Sequence, residues 1–342
     1  MSRREALRGG LALGSFALVG APRAAFAGDA PVSAQARWLA GLAPLGGIEP
    51  GAEWQAYAKA EKDRWQSSQA RVKAIQDWSA REIAPLLPPE PAVFYPFAGP
   101  DALHGLALFG SARRIVLVGL EPVGALPDPA APVPAGFFTR LGAALADVHR
   151  LTFFRTLEMS SDFQREGVLA ALVATIVRME GTVSSVQTST TPPSARIDWT
   201  NATGLTRRLD YVQADLANAG LKGAAAPVVG MVHGLAPYVT FVKAAMFLLA
   251  EPRFSTLKQM ILDDSSIVLQ DDTGVPFRAF DERWATRLFG RYEAPSSPYE
   301  ERVQPALRAA YEQRGATPLA FGIGYHVQPA RSNLLVASKG HR

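Results

Sequence analysis

The sequence predicts an α/β protein with a Rossmann-like mixed sheet, preceded by a long N-terminal amphipathic helix. Two short apolar segments, Ala92 to Phe97 and Arg114 to Gly119, flank a helical pattern from Asp101 to Phe109. This is the β-α-β order of a parallel sheet, and an almost uninterrupted apolar run is typical of a strand buried on both faces. Three alternating segments further along the chain predict an antiparallel addition to the sheet around 181–216.

The first residues predict an export leader over 1–27. Adjacent Arg3 and Arg4 precede an apolar stretch from Gly9 to Gly20, and Ala25-Phe26-Ala27 has the small residues of a cleavage site. The stretch of about 12 residues is shorter than the roughly 20 that a membrane-spanning helix needs. We therefore expect a twin-arginine signal peptide that engages the twin-arginine translocase and is then removed, leaving no stable membrane anchor. A general secretory signal is the alternative, and either route predicts a periplasmic or secreted protein.

Two segments are expected after the leader, an N-terminal helical segment over 28–91 and an α/β domain over 92–342. Apolar residues recur at three- and four-residue steps from Ala52 to Ala84, which predicts a long helix that ends in the proline-rich stretch 85–91. Further helices are predicted at Gly136–Leu157, Arg165–Met179, Tyr238–Leu249, Phe254–Leu262 and Glu300–Arg314. Further strands are predicted at Gly181–Ser189, Ala195–Trp199, Arg207–Asp215, Ser266–Gln270, Leu319–Tyr325 and Asn333–Ser338.

Composition excludes several classes of function. The formal net charge of +4 comes mostly from the leader, where four arginines outweigh one glutamate, and the rest of the chain has no cluster of basic residues. Nucleic acid is therefore not an expected partner, because binding to its backbone requires clustered Lys and Arg. The chain has no cysteine, which excludes disulfides, thiolate metal sites and cysteine nucleophiles. The five histidines are scattered without metal-ligand spacing, so a histidine-rich metal site would have to be assembled from distant segments.

A candidate site lies in the loop that joins the first predicted strand to its helix. Ligands of open α/β sheets bind outside the carboxyl ends of the strands, next to helix N-termini. Gly99 allows close approach to the backbone at this place, and Tyr95 is expected to line a pocket there. Asp101 has two interpretations, either as the cap of the helix or as a group that faces the ligand.

Acidic residues follow two other predicted strands. Glu121 stands after the second strand of the β-α-β unit, where nucleotide-binding folds hold ribose hydroxyls, so Glu121 and Gly99 are the candidate cofactor-binding residues. Asp271 and Asp272 follow the strand Ser266–Gln270, where paired carboxylates could share a proton or hold a divalent cation. They could equally be turn residues. Tyr325 is expected to line the pocket with Tyr95, and the identity of any cofactor stays open.

The chain resembles a family of exported bacterial proteins. Four segments support this resemblance: Tyr95-Pro-Phe-Ala-Gly-Pro-Asp101, Gly119-Leu-Glu-Pro-Val-Gly124, Ile261-Leu-Asp-Asp-Ser265 and Gln270-Asp-Asp-Thr-Gly-Val-Pro276. The resemblance implies an envelope or secreted location and supplies no catalytic residue. In architecture the chain also resembles the core of class I methyltransferases, through its β-α-β unit, the loop before Asp101, the acidic end of the second strand and a closing antiparallel hairpin.

Three functions follow from these observations. The first is a hydrolase that acts on an envelope or extracellular substrate, with Asp101, Asp271 and Asp272 as acid, base or metal ligands. The second is a non-catalytic envelope protein that binds a small ligand or serves as a scaffold. The third is a methyltransferase-like fold that retains affinity for a nucleotide.

Overall fold

The computed structural model describes residues 32–46, 49–128, 131–151, 166–295 and 298–340. The predicted leader over 1–27 lies outside the described residues, as does the end of the helix predicted to reach Leu157.

A single mixed sheet of nine strands organises the described part of the chain, in the order β3-β4-β5-β2-β1-β6-β7-β9-β8. The prediction of an α/β protein with a Rossmann-like mixed sheet is therefore confirmed. The strands are β1 Ala92–Tyr95, β2 Arg114–Gly119, β3 Thr182–Thr190, β4 Pro193–Thr200, β5 Thr206–Gln213, β6 Tyr238–Val242, β7 Ser265–Gln270, β8 Trp284–Gly290 and β9 Asn333–Lys339.

Five central strands, β5-β2-β1-β6-β7, pair in parallel. Their residues alternate between the two faces of the sheet, so that Val93 and Tyr95 enter one hydrophobic core while Phe94 enters the other. Because both faces are covered, β1, β2 and β6 are apolar almost throughout, as expected for a parallel sheet. Antiparallel strands lie at both ends of the sheet, where β4 pairs with β3 and β5, and β9 pairs with β7 and β8.

Nine α-helices are found among the described residues, and they cover the two faces of the sheet. They are α1 Val32–Leu39, α2 Ala52–Glu82, α3 Ala102–Leu108, α4 Phe137–Leu151, α5 Leu169–Arg178, α6 Asn218–Lys222, α7 Ala226–His233, α8 Ser255–Asp264 and α9 Pro305–Arg314. Helices α1 to α5 supply the larger core, and α6 to α8 supply the core on the opposite face. The predicted long amphipathic helix is α2, which buries Val72, Ile75 and Trp78 in the larger core.

Two predicted elements are wrong. The segment Tyr238–Leu249 was expected to be a helix, but Tyr238–Val242 is the buried strand β6, and only a short 3₁₀ helix follows at Leu248–Ala250. A short apolar run has no periodicity that separates a buried strand from a buried helix, and here β1 and β7 supply hydrogen bonds on both sides. The predicted strand Leu319–Tyr325 is an irregular segment with one isolated bridge from Ile323 to His326. Its Gly324 has a φ of 65°, which does not fit a strand.

Candidate functional site

A cavity of about 490 Å³ opens at the carboxyl ends of β1, β2 and β6. After β1 the chain builds β2 and β5 on one side and later returns to place β6 on the other, so the strand order reverses between β1 and β6. Such a switch point leaves a crevice in which open α/β sheets bind ligands. Its polar lining residues are Tyr95, Asp101, Glu121, Asp215, Lys243, Tyr299 and Tyr325. Its other lining residues are Phe97, Ala98, Gly99, Val118, Gly119, Leu120, Ala214, Leu216, Ala244, Ala245, Met246, Leu248 and Phe254.

Asp101 is the centre of a buried hydrogen-bond network beside this cavity. Its carboxylate accepts a hydrogen bond from the Tyr95 hydroxyl at 2.7 Å and pairs with Lys243 Nζ at 2.9 Å. On the other oxygen it contacts His104 Nδ1 at 2.9 Å and the His104 backbone amide at 3.3 Å. Asp101 therefore caps helix α3 and also faces the cavity, so the two interpretations of this residue are compatible.

Asp101 is held in its ionised form. Burial alone would raise its pKa, but the charges of His104 and Lys243 and the hydrogen bonds from His104 and Tyr95 outweigh burial and bring the pKa well below its usual range. Burial lowers the pKa of His104, and its Nε2 atom has no hydrogen-bond partner among the described residues. The Nδ1 atom of His104 thus faces Asp101, and Lys243 Nζ supplies the opposite charge of the buried ion pair.

Glu121 follows β2 and lines the same cavity. Its side chain is 6% exposed, and burial raises its pKa. The Tyr211 hydroxyl donates to the backbone carbonyl of Glu121 at 2.7 Å and fixes this turn. A Cβ on Gly119 would lie 2.5 Å from Glu121 Oε2 and 2.8 Å from Gly99 Cα, so glycine is required for the two loops to meet.

Backbone strain is concentrated around the cavity. Phe97, Ala244, Met246 and Phe247 have φ values of 59°, 48°, 50° and 58°, a conformation that residues other than glycine rarely adopt. Three of these four residues line the cavity, and Phe247 is adjacent to the third. Strain of this kind persists only where surrounding contacts enforce it, and it clusters at ligand-binding and active sites.

Asp271 supports the strained wall from behind and is not among the lining residues. Its Oδ2 accepts a hydrogen bond from the Ala244 amide at 2.7 Å, and its Oδ1 accepts one from the Thr273 amide at 2.9 Å. Thr273 Oγ1 in turn accepts from the Ala245 amide at 2.7 Å. From the cavity side, the Tyr325 hydroxyl donates to the Ala244 carbonyl at 3.1 Å.

Asp272 contacts residues at the start of β9 and before α9, and it does not line the cavity either. Its Oδ1 accepts from Asn333 Nδ2 at 3.2 Å, its amide donates to Asn333 Oδ1 at 2.9 Å, and its carbonyl accepts from Gln304 Nε2 at 2.6 Å. Burial and the adjacent Asp271 raise the pKa of Asp272 to about 7. These contacts join β7 to β9 and to the start of α9, a connecting role within the fold.

The structure thus brings five of the seven candidate residues to one cavity: Tyr95, Gly99, Asp101, Glu121 and Tyr325. Sequence reasoning missed Lys243, Phe254 and Tyr299, which also line it. The signal for Lys243 was present, because a lysine directly follows the apolar segment Tyr238–Val242. Interpreting this segment as a helix hid the strand end on which Lys243 lies.

Comparison with protein-family models and with curated proteins gave no match to this chain. No helix among the described residues is long and apolar enough to cross a membrane. In the same part of the chain, no three His, Asp or Glu side chains are grouped so that they could hold a metal ion.

Replacing Asp101 by asparagine is expected to destabilise the protein by about 3–5 kcal/mol, because the variant breaks the buried pair between the Asp101 carboxylate and Lys243 Nζ. Urea denaturation measures the change. The control Asp215→Asn removes an exposed carboxylate at the cavity mouth and is expected to change stability by less than about 0.5 kcal/mol. Equal stability of the two variants would contradict the assigned role of Asp101.

Replacing Asp272 by asparagine is expected to stabilise the protein more as the pH rises. In the unfolded chain the pKa of an aspartate is about 3.9, so the raised folded pKa makes wild-type protein lose stability between that value and about 7. The asparagine variant avoids this loss and keeps the acceptor for Asn333. Urea midpoints at about pH 5 and about pH 8 should therefore differ between variant and wild type more at the higher pH. A pH-independent difference would show that Asp272 does not titrate in this range.

Proposed function

We propose that this protein is a small-molecule-binding protein that takes an organic ligand with a largely apolar body into the cavity between β1, β2 and β6. The observation that carries the proposal is the cavity of about 490 Å³ at the strand-order switch point, walled by residues in strained backbone conformations. Ligand pockets are typically about 300–1,000 Å³ and mostly apolar, with a few converging polar groups. Tyr95, Asp101, Glu121 and Lys243 are such groups here.

Binding fits the carboxylates better than hydrolysis does. The oxygens of Asp101 and Asp271 accept hydrogen bonds or ion pairs from neighbouring protein groups, and Asp272 lies off the cavity lining. A general acid or base must reach the proton that it transfers, within about 2.6–3.2 Å or through one water. We therefore propose that these carboxylates hold the fold and shape the cavity.

The architecture supports a ligand at the same mouth of the sheet. The β1-α3-β2 unit, the loop before Asp101 and Glu121 at the end of β2 are features on which the resemblance to class I methyltransferases rests. The predicted closing hairpin is not formed, and β9 pairs instead with β8 and β7. Nucleosides and S-adenosylmethionine therefore belong among the compounds to be screened. We further propose that binding takes place outside the cytoplasm, a location supported by the predicted leader.

The test is a thermal-shift screen of small organic molecules on the purified protein, with dissociation constants of the hits from calorimetry. Ala214→Trp places a bulky ring in the cavity from a half-buried lining position and is expected to weaken binding by at least about tenfold. Ala70→Trp puts the same ring on an exposed position of α2 and should leave binding unchanged. If hits bind the Ala214→Trp variant as tightly as wild type, this cavity is not the binding site.

A further inference from the structure

Aromatic side chains form much of the cavity wall. Phe97 and Phe254 make an edge-to-face pair with ring centroids 5.6 Å apart, and Tyr299 and Tyr325 stack with centroids 5.7 Å apart. The Tyr95 ring completes the aromatic lining. The faces of such rings carry partial negative charge and attract cations, most strongly where water is excluded.

Negative charge also predominates among the lining residues that the structure describes. Asp101, Glu121 and Asp215 are carboxylates, whereas Lys243 is the one lysine or arginine among them. Lys243 pairs with Asp101 at 2.9 Å, so these two charges largely compensate each other. The remaining carboxylates among these lining residues are Glu121 and Asp215.

Among the described residues, the groups that stabilise the charge of Glu121 are dipoles of its own turn, and no salt bridge joins it to a cation. The backbone amides of Leu120 and Glu121 lower its pKa, but burial has the larger effect and raises it. Tyr211 directs its hydroxyl proton to the Glu121 backbone carbonyl at 2.7 Å, and its oxygen is 3.5 Å from Glu121 Oε2. A buried carboxylate is costly until it is paired, and a cation inside the cavity would supply that pairing.

We propose that the ligand of this cavity is an organic cation, an amine or quaternary ammonium compound with an apolar body, whose charge contacts Glu121 and the aromatic rings. The inference rests on the proposed binding function and adds the chemical class of the ligand. Aromatic walls and a buried carboxylate are the combination that recognises alkylated ammonium groups, because such cations are weakly hydrated and pack against ring faces.

The experiment compares isosteric pairs that differ only in charge. Choline is paired with 3,3-dimethylbutan-1-ol, and phenyltrimethylammonium with tert-butylbenzene. Saturation-transfer NMR detects binding, and calorimetry gives the dissociation constants of the soluble pair. Each cation is expected to bind at least about tenfold more tightly than its neutral partner.

Glu121→Gln keeps the shape of the side chain and removes its charge. In this variant the cation should lose about tenfold or more in affinity, whereas the neutral partner should bind as it does to wild type, which also shows that the cavity is intact. The matched control Glu282→Gln neutralises an exposed carboxylate just before β8. Because β8 runs in the same direction as β7, this residue lies at the amino ends of the strands, away from the cavity, and both affinities should stay unchanged.

The outcomes separate the two proposals. Equal affinity for a cation and its neutral partner would overturn the proposal of a cationic ligand and leave the proposed binding function in place. An affinity for the cation that Glu121→Gln does not change would have the same meaning. A screen in which other compounds bind but the ammonium probes do not would also overturn the proposal of a cationic ligand. Absence of binding by every compound in the screen would overturn both.

Discussion

The ion pair between Asp101 and Lys243 is the interaction on which the cavity depends. It joins the loop after β1 to the segment after β6, and these two strands are where the order of the sheet reverses. A switch point leaves the loops on its two sides diverging, so something must hold them at a fixed distance. Asp101 does this while it also caps α3 and accepts a hydrogen bond from the Tyr95 hydroxyl, so a single carboxylate joins these groups beside the cavity.

A buried ion pair is not by itself strong evidence of stability, because removing both charges from water costs several kcal/mol. Its value here is positional, since the hydrogen bonds from Tyr95 and His104 occupy the remaining acceptor sites of Asp101 and define one geometry. The Glu121 side of the cavity is different. There burial raises the pKa of Glu121, and the groups that lower it are backbone amides of its own turn and the Tyr211 hydroxyl.

Much of the fold could be predicted from the sequence, because several strands are short apolar or alternating segments bounded by turn residues. Arg114–Gly119 was predicted with the bounds it has, and the three antiparallel strands were found within a few residues of their ends. Strand β6 could not be recognised, since an apolar run as short as Tyr238–Val242 shows no period, and its identity comes from pairing with β1 and β7. That one error removed Lys243 from the predicted site.

The two aspartates after β7 illustrate a second limit of prediction from sequence, which concerns the direction of side chains. Sequence reasoning correctly expected the ends of parallel strands to meet at one edge of the sheet, but it could not tell which side chains turn toward the opening. Asp271 turns toward the backbone of the neighbouring loop and accepts the Ala244 amide, so it acts on the cavity wall without lining it.

The strained segment from Ala244 to Phe247 shows why such a support is needed. Left-handed conformations of residues other than glycine cost about 1–3 kcal/mol each, and three of them follow one another closely here. Asp271, Thr273 and Tyr325 hold this segment by hydrogen bonds to its amides and to a carbonyl. A wall held in this way is already ordered before a ligand arrives, so binding loses less conformational entropy than it would with a flexible loop. Strain and its buried supports are thus two parts of one preorganised cavity.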